Sequence, residues 1–376
     1  MNANWVPFPE CISAVLVLLA IALLASSPAW AAAEEEKPAL VWRDIVELGI
    51  ENQGWKDAAT PFDRLPARAE GVVRDPVWRL SQDSAGLCVR FVTDAPAISA
   101  RWTLRDGGIA MDHMPATGVS GLDLYVKDAG TWHWTGLGRP SAQTNEKQLA
   151  GGIPEGSHEF LLYLPLYNGV TSVELGVPEG HTVEPAPPYP PERARPIVIY
   201  GTSIVQGGCA ARPGMAHTNI LHRMLDRPVI NLGFSGNGKM DPELGDLLAE
   251  LDVAVYVIDC APNLTPELIA ERTEPLVETL RKARPDTPIV LVENIRYQAG
   301  AFLPAPRESY EKKNDALRAA YQRLIDKGVK GLTYVPCDDL LGDDCEATVD
   351  GTHPTDVGFL RMAITLDPFL RRVLEE

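Results

Sequence analysis

The chain has 376 residues, enough for two domains rather than one, and its 45% hydrophobic and 23% charged side chains supply material for a core. Fifty-one acidic residues against 34 basic ones leave a formal charge of −17. Such a surface repels nucleic acid and anionic lipid, so neither is an expected partner, and it leaves the substrate open.

The first element is apolar. Residues 12–27 are Ile, Val, Leu, Ala and Ser, and Ala29 and Ala31 follow in the small-x-small pattern of a secretory cleavage site. Sixteen residues are short for a membrane span. Residues 1–31 are therefore read as a signal peptide and the protein as exported, periplasmic or secreted. No Lys or Arg precedes the apolar run, so an uncleaved N-terminal anchor stays open. Export permits disulfides, and five cysteines remain beyond the leader. Cys337 and Cys345 flank a polar loop that a disulfide could close; two free thiols is the other reading. No pair has C-x-x-C spacing, and the histidines are scattered, so no metal or cofactor is expected.

Residues 40–183 carry short β-branched and aromatic runs at 86–95, 98–104, 121–128, 131–138, 158–166 and 171–177, separated by Gly, Asp and Asn turns. This pattern predicts an antiparallel β-sandwich of jelly-roll type. Asp123 and Tyr125 read as strand residues, with substrate contact the alternative. Trp132 and Trp134 either pack the sandwich core or line a sugar-binding face. Residues 184–196 hold six prolines, which lack an amide donor and stiffen the chain, so this stretch reads as the linker between domains.

From residue 197 onward the pattern alternates. Apolar runs at 197–200, 229–234, 254–260, 289–294 and 332–336 suit strands buried on both faces. Helical patterns occupy 216–225, 242–251, 266–284, 307–327 and 360–374, and Thr265-Pro266-Glu267 reads as a capped helix start. The expectation for 197–376 is a three-layer α/β/α domain with a parallel sheet. In such sheets ligands bind at the carboxyl ends of the strands. Ser203, Gly236, Asn263 and the segment Asp350-Gly351-Thr352-His353-Pro354 all fall at such ends. A serine needs an imidazole to take its proton, and the imidazole needs an orienting carboxylate, so Ser203, His353 and Asp350 are candidate triad members. His217, close behind the serine, is the remaining histidine of interest.

These segments resemble the sequence blocks of the SGNH hydrolases, the GDSL esterases and lipases. Gly201-Thr202-Ser203-Ile204 stands where the family commonly has G-D-S-L, with Thr202 in place of the Asp. Asn231-Leu232-Gly233-Phe234-Ser235-Gly236 resembles the second block, and Ala261-Pro262-Asn263 keeps only the Asn of the third. Asp350-Gly351-Thr352-His353-Pro354 fits the last block throughout. The resemblance implies a serine nucleophile at Ser203 and an oxyanion hole formed by the Ser203 and Gly236 N–H groups and the Asn263 amide. Gly121-Leu122-Asp123-Leu124-Tyr125 resembles the G-x-D-L-Y signature of a sandwich domain preceding some of these esterases. The implied activity is removal of a small acyl group, such as acetyl, from a carbohydrate or a related small-molecule or polysaccharide ester. An acyltransferase with the same triad and a non-catalytic carbohydrate-binding protein are the alternatives. Because every catalytic block follows the linker, the first half is expected to serve substrate choice more than chemistry, and the second half, provided it stays soluble alone, to keep some activity on a small aryl acetate.

Overall fold

The structure, a computed structural model, describes residues 39–375. The signal peptide expected over residues 1–31 lies outside the described residues, and among those no helix is long and apolar enough to cross a membrane.

Among the described residues the first half holds nine strands: β1 Leu40–Asp44, β2 Cys88–Thr93, β3 Ala97–Leu104, β4 Leu122–Asp128, β5 Thr131–Gly138, β6 Thr144–Gly151, β7 His158–Tyr163, β8 Val170–Pro178 and β9 Val183–Pro185. They form two antiparallel sheets, ordered β1-β8-β3-β6 and β5-β4-β7-β2-β9. Alternate side chains point inward, and Phe91, Trp102, Phe160, Leu162 and Leu175 fill the space between the sheets. β9 extends as far as Pro185, the first proline of the connector. It tolerates the ring because it is an edge strand. β1 and β6 escape the sequence pattern, and β6, Thr-Asn-Glu-Lys-Gln-Leu-Ala-Gly, has a composition poor in strand formers.

The second half is a parallel sheet of β10 Ile197–Gly201, β11 Val229–Gly233, β12 Val255–Asp259, β13 Ile289–Val292 and β14 Leu332–Val335, ordered β11-β10-β12-β13-β14. Side-chain alternation along β10 builds the layers. Ile197 and Ile199 pack with helices His217–Leu225 and Asp356–Glu375. Val198 and Tyr200 face helices Pro242–Glu250, Pro266–Ala283 and Pro304–Asp326. Thr265 caps the helix Pro266–Ala283 by accepting from the Leu268 N–H, as its sequence indicates. The chain runs from β10 to β11 on one side and then to β12 on the other. The strand order therefore reverses at β10, which opens a crevice above its carboxyl end.

The two halves are not independent. Residues 49–84 leave the sandwich and cover the parallel sheet: Trp55, Leu65, Val73 and Val77 share an apolar cluster with Val198, Tyr200 and Leu248. Arg64, 2% exposed, reaches through this cover. Its guanidinium donates to the carbonyls of Leu80 (2.5 Å), Asp83 (2.8 Å), Asn231 (3.2 Å) and Gly233 (2.7 Å), and it lies over the Phe234 ring. Burial brings it down to about 10, which still leaves it charged at neutral pH.

The G-x-D-L-Y strand belongs to the same interface, so Asp123 is a residue of strand β4, as expected, and also a contact between the halves. Fully buried, Asp123 accepts from Arg212 Nη1 (2.7 Å), the Gly214 N–H (2.7 Å) and Trp134 Nε1 (2.8 Å). Tyr125 also binds Arg212, through its hydroxyl, at 2.5 Å. The Asp thus pins the sandwich to the loop that follows the candidate nucleophile. Neither tryptophan of β5 lies between the two sheets, although Trp132 packs against the outer cluster of Tyr125, Leu161 and Tyr163. Trp134 is half exposed with Arg212 over its ring, and Trp132 reaches Asp226 on the other half. Cys337 and Cys345 are free thiols, the first buried and the second exposed.

Candidate active site

β10 ends at Gly201, where a Cβ would lie 2.3 Å from the Asp259 carbonyl oxygen. Only glycine fits there. Thr202 then caps the four-residue helix Ser203–Gln206, its hydroxyl accepting from the Ile204 N–H at 3.3 Å. The Thr that stands in place of the Asp still provides a cap, Thr being among the favoured N-cap residues though below Asp. Ser203 is the first residue of that helix, so its side chain stands at the strand tip and its N–H has no intrahelical acceptor.

A hydrogen-bonded relay runs from this serine. Ser203 Oγ lies 2.9 Å from His353 Nε2, and His353 Nδ1 lies 2.7 Å from Asp350 Oδ2. The other Asp350 oxygen accepts from the N–H groups of Thr352 (3.0 Å) and His353 (2.7 Å). Partial burial works against the Asp350 charge, but the hydrogen bonds from His353 and Thr352 outweigh it and hold the carboxyl at about 2. Asp350 is thus a carboxylate across the physiological range, able to fix the imidazole tautomer and stabilise an imidazolium. Gly351, at φ +88°, allows the tight return that places both residues on one loop.

Gly236 sits in the turn after β11 at φ +68°, with open space where a Cβ would be. Neither its N–H nor that of Ser203 finds an acceptor among the described residues. Asn263 Oδ1 accepts from the Gly238 N–H at 3.1 Å, which orients the amide and leaves its NH2 group free to donate. Three donors are therefore available at the ends of β10, β11 and β12. A developing oxyanion needs such donors fixed in advance.

The sequence did not reveal the residues that brace this turn. Gln206 Oε1 accepts from the Ser235 N–H (3.0 Å) while its NH2 donates to Asp83 (2.9 Å). Arg74 donates to Asn237 Oδ1 (2.7 Å) and to Asp241 (2.7 Å). Tyr167 donates to the Ser203 carbonyl at 3.2 Å. Arg74, Asp83 and Tyr167 all come from the first half, so that half supports the chemistry directly. For Arg74 and Asp83 a signal existed only in retrospect, as charged residues in a segment with no strand pattern; Tyr167 carried none. His217 is excluded from the relay: it is fully buried and stacked on Phe359, and burial pushes it down to about 3.

Asp259, the last residue of β12, lies beneath the site with Oδ2 buried and without a hydrogen-bond partner among the described residues. Burial pushes its carboxyl up to about 7. A raised folded-state value means the folded protein holds this proton more tightly than the unfolded chain. The stabilising contribution of this group is then fully present below the unfolded value of 3.8 and is lost as pH rises towards 7. Asp259→Asn removes this titration. Between pH 4 and pH 8 the variant should gain on the wild type by about 1–4 kcal/mol in denaturant titrations. Parallel pH profiles for the two proteins would contradict the assignment.

Residues 194–371 match the GDSL-like Lipase/Acylhydrolase family, and residues 40–183 match the N-terminus of Esterase_SGNH_hydro-type. A protein of Bacteroides ovatus ATCC 8483, described as a GDSL-like lipase, is 36% identical with TM-score 0.85, covering 90% of this chain and 98% of its own. The salicylyl-acyltransferase SsfX3 of a tetracycline biosynthetic pathway shares the fold at 19% identity and TM-score 0.68, with coverage of 90% and 96%. A family two carbohydrate esterase from Cellvibrio japonicus does so at 18% identity and TM-score 0.53, with coverage of 77% and 90%. No curated protein sequence matches. The chain belongs to the GDSL-like lipase/acylhydrolase family and is an esterase of the SGNH kind, carrying the GxDLY N-terminal half.

Proposed function

We propose that the protein is an exported serine esterase that removes a small acyl group, acetyl first, from a carbohydrate ester. The observation that carries this reading is the relay Ser203–His353–Asp350, with both hydrogen bonds at 2.9 Å or less. Ser203 Oγ attacks the ester carbonyl while His353 Nε2 takes its proton and Asp350 steadies the resulting imidazolium. The tetrahedral oxyanion is held by the N–H groups of Ser203 and Gly236 and by the Asn263 amide. His353 returns the proton to the leaving alcohol. A water, deprotonated by the same imidazole, then releases the acid and restores the serine.

Support for a carbohydrate substrate comes from the fold shared with the Cellvibrio esterase and with an acetyl xylan esterase of Butyrivibrio proteoclasticus. Support for export is the leader-like sequence of residues 12–31.

Removing one oxyanion donor should show in kcat. Asn263→Ala is expected to lower it by roughly 10²–10³ with a smaller change in KM, since that hydrogen bond matures in the transition state. An unchanged kcat would confine Asn263 to shaping its loop. The substrate reading is tested by aryl esters of graded chain length, then by acetylated glycans with product analysis in the presence of an alcohol. Turnover falling with acyl length and acetate released from glycans is the expected result. Preference for long acyl chains, or acyl transfer to the alcohol outrunning hydrolysis, would overturn it.

A further inference from the structure

A second constellation adjoins the relay. The turn closed by the paired backbones of Met111 and Met114 presents His113, exposed, with its ring edge-on to His353 at 5.8 Å between centroids. Cys209, a buried free thiol, follows the nucleophile helix. The donor atoms of His113, Cys209 and His353 all lie within 4.8 Å of one another. They come from three separate stretches of chain: the sandwich half, the nucleophile loop and the catalytic loop.

Cys209 is held at φ +75°, a conformation that favours glycine. Its side chain is therefore present at a position where none would be easier for the backbone. A similar cluster at Glu51, Cys88 and His222 is closed to ligands, because both His222 nitrogens are already bonded, to Tyr163 (2.8 Å) and Tyr189 (2.7 Å). The side chains of His113 and Cys209 carry no such bond among the described residues.

We propose that His113, Cys209 and His353 bind a borderline-soft divalent cation, Zn2+ foremost, and that occupancy switches the esterase off. Two imidazoles and a thiolate are the donor set that zinc prefers. Neighbouring ligands on one tetrahedral zinc stand roughly 3.5 Å apart, so the donors must close by about an ångström. An exposed His113 can rotate to do this. Cys209 binds as the thiolate and releases its proton to solvent, and a water completes the fourth position. The nearby Asp350 carboxylate and the net charge of −17 favour a cation there.

Inhibition follows whichever His353 nitrogen is taken. Coordination at Nε2 removes the lone pair that accepts the Ser203 proton, and coordination at Nδ1 displaces Asp350. The switch rests on the esterase reading, whereas the binding site does not.

The test uses the full chain with Zn2+ and, as a spectroscopic stand-in, Co2+. Zinc should inhibit aryl acetate hydrolysis reversibly, with activity restored by a chelator. Cobalt should give a thiolate-to-metal charge-transfer band. His113→Ala and Cys209→Ser should keep basal turnover, weaken zinc inhibition by at least about tenfold, and, for Cys209→Ser, abolish the band. A wild type without the band at saturating cobalt would overturn the site, as would zinc inhibition equal in the wild type and both variants. A cobalt band in a protein that hydrolyses no ester would uphold the site and refute the esterase reading instead.

Discussion

Ser203→Ala abolishes ester hydrolysis, with kcat/KM falling by about 10⁴-fold or more, since loss of the nucleophile leaves only the oxyanion donors and binding to assist water. The fold should survive. The change deletes one oxygen at a strand tip and leaves the Thr202 cap and the Gly201 close approach in place. Thermal melting of the variant should therefore match the wild type to within about 1 kcal/mol. Retained turnover in a folded variant would remove Ser203 from the mechanism.

Arg64→Ala should produce the largest loss of stability. Four carbonyls lose their charged donor, two of them on β11 just before the Gly236 turn, and a cavity is left against Phe234. Orphaned buried polar groups and a core cavity each cost a few kcal/mol, so a total of about 4 kcal/mol or more is expected. In a body of this size that corresponds to a fall in Tm of roughly 5 °C. Arg64→Lys should recover little, because an ammonium cannot span acceptors arrayed around a planar fork. A Tm within a degree of wild type would show that the segment 49–84 is an incidental cover.

The same contacts explain what the sequence displayed and what it hid. The parallel strands were legible because each is apolar on both faces, and the strand ends were legible because Gly201 and Gly233 close β10 and β11 and Gly236 marks the turn that follows. Ser203, Asp350 and His353 were visible as residue types at strand ends, and the structure brings them into one relay. β6 was hidden because a polar strand at a sheet edge carries little hydrophobic pattern. The role of Asp123 was hidden for another reason: its partners Arg212 and Gly214 are some ninety residues away in the chain. Long-range ion pairs leave no periodic trace in the sequence. The contacts between the halves were hidden in the same way: Arg64, Arg74, Asp83 and Tyr167 all reach across from the first half towards the strand ends.

Reaction with a serine-directed aryl phosphonate, followed by peptide mass mapping, tests the central claim most directly. The reagent mimics the tetrahedral intermediate and bonds only to a serine whose proton an adjacent base can take. One equivalent should attach at Ser203, and attachment should fail in His353→Ala, which keeps the serine but removes the base. Labelling at another residue, or undiminished labelling of Ser203 without His353, would contradict the relay.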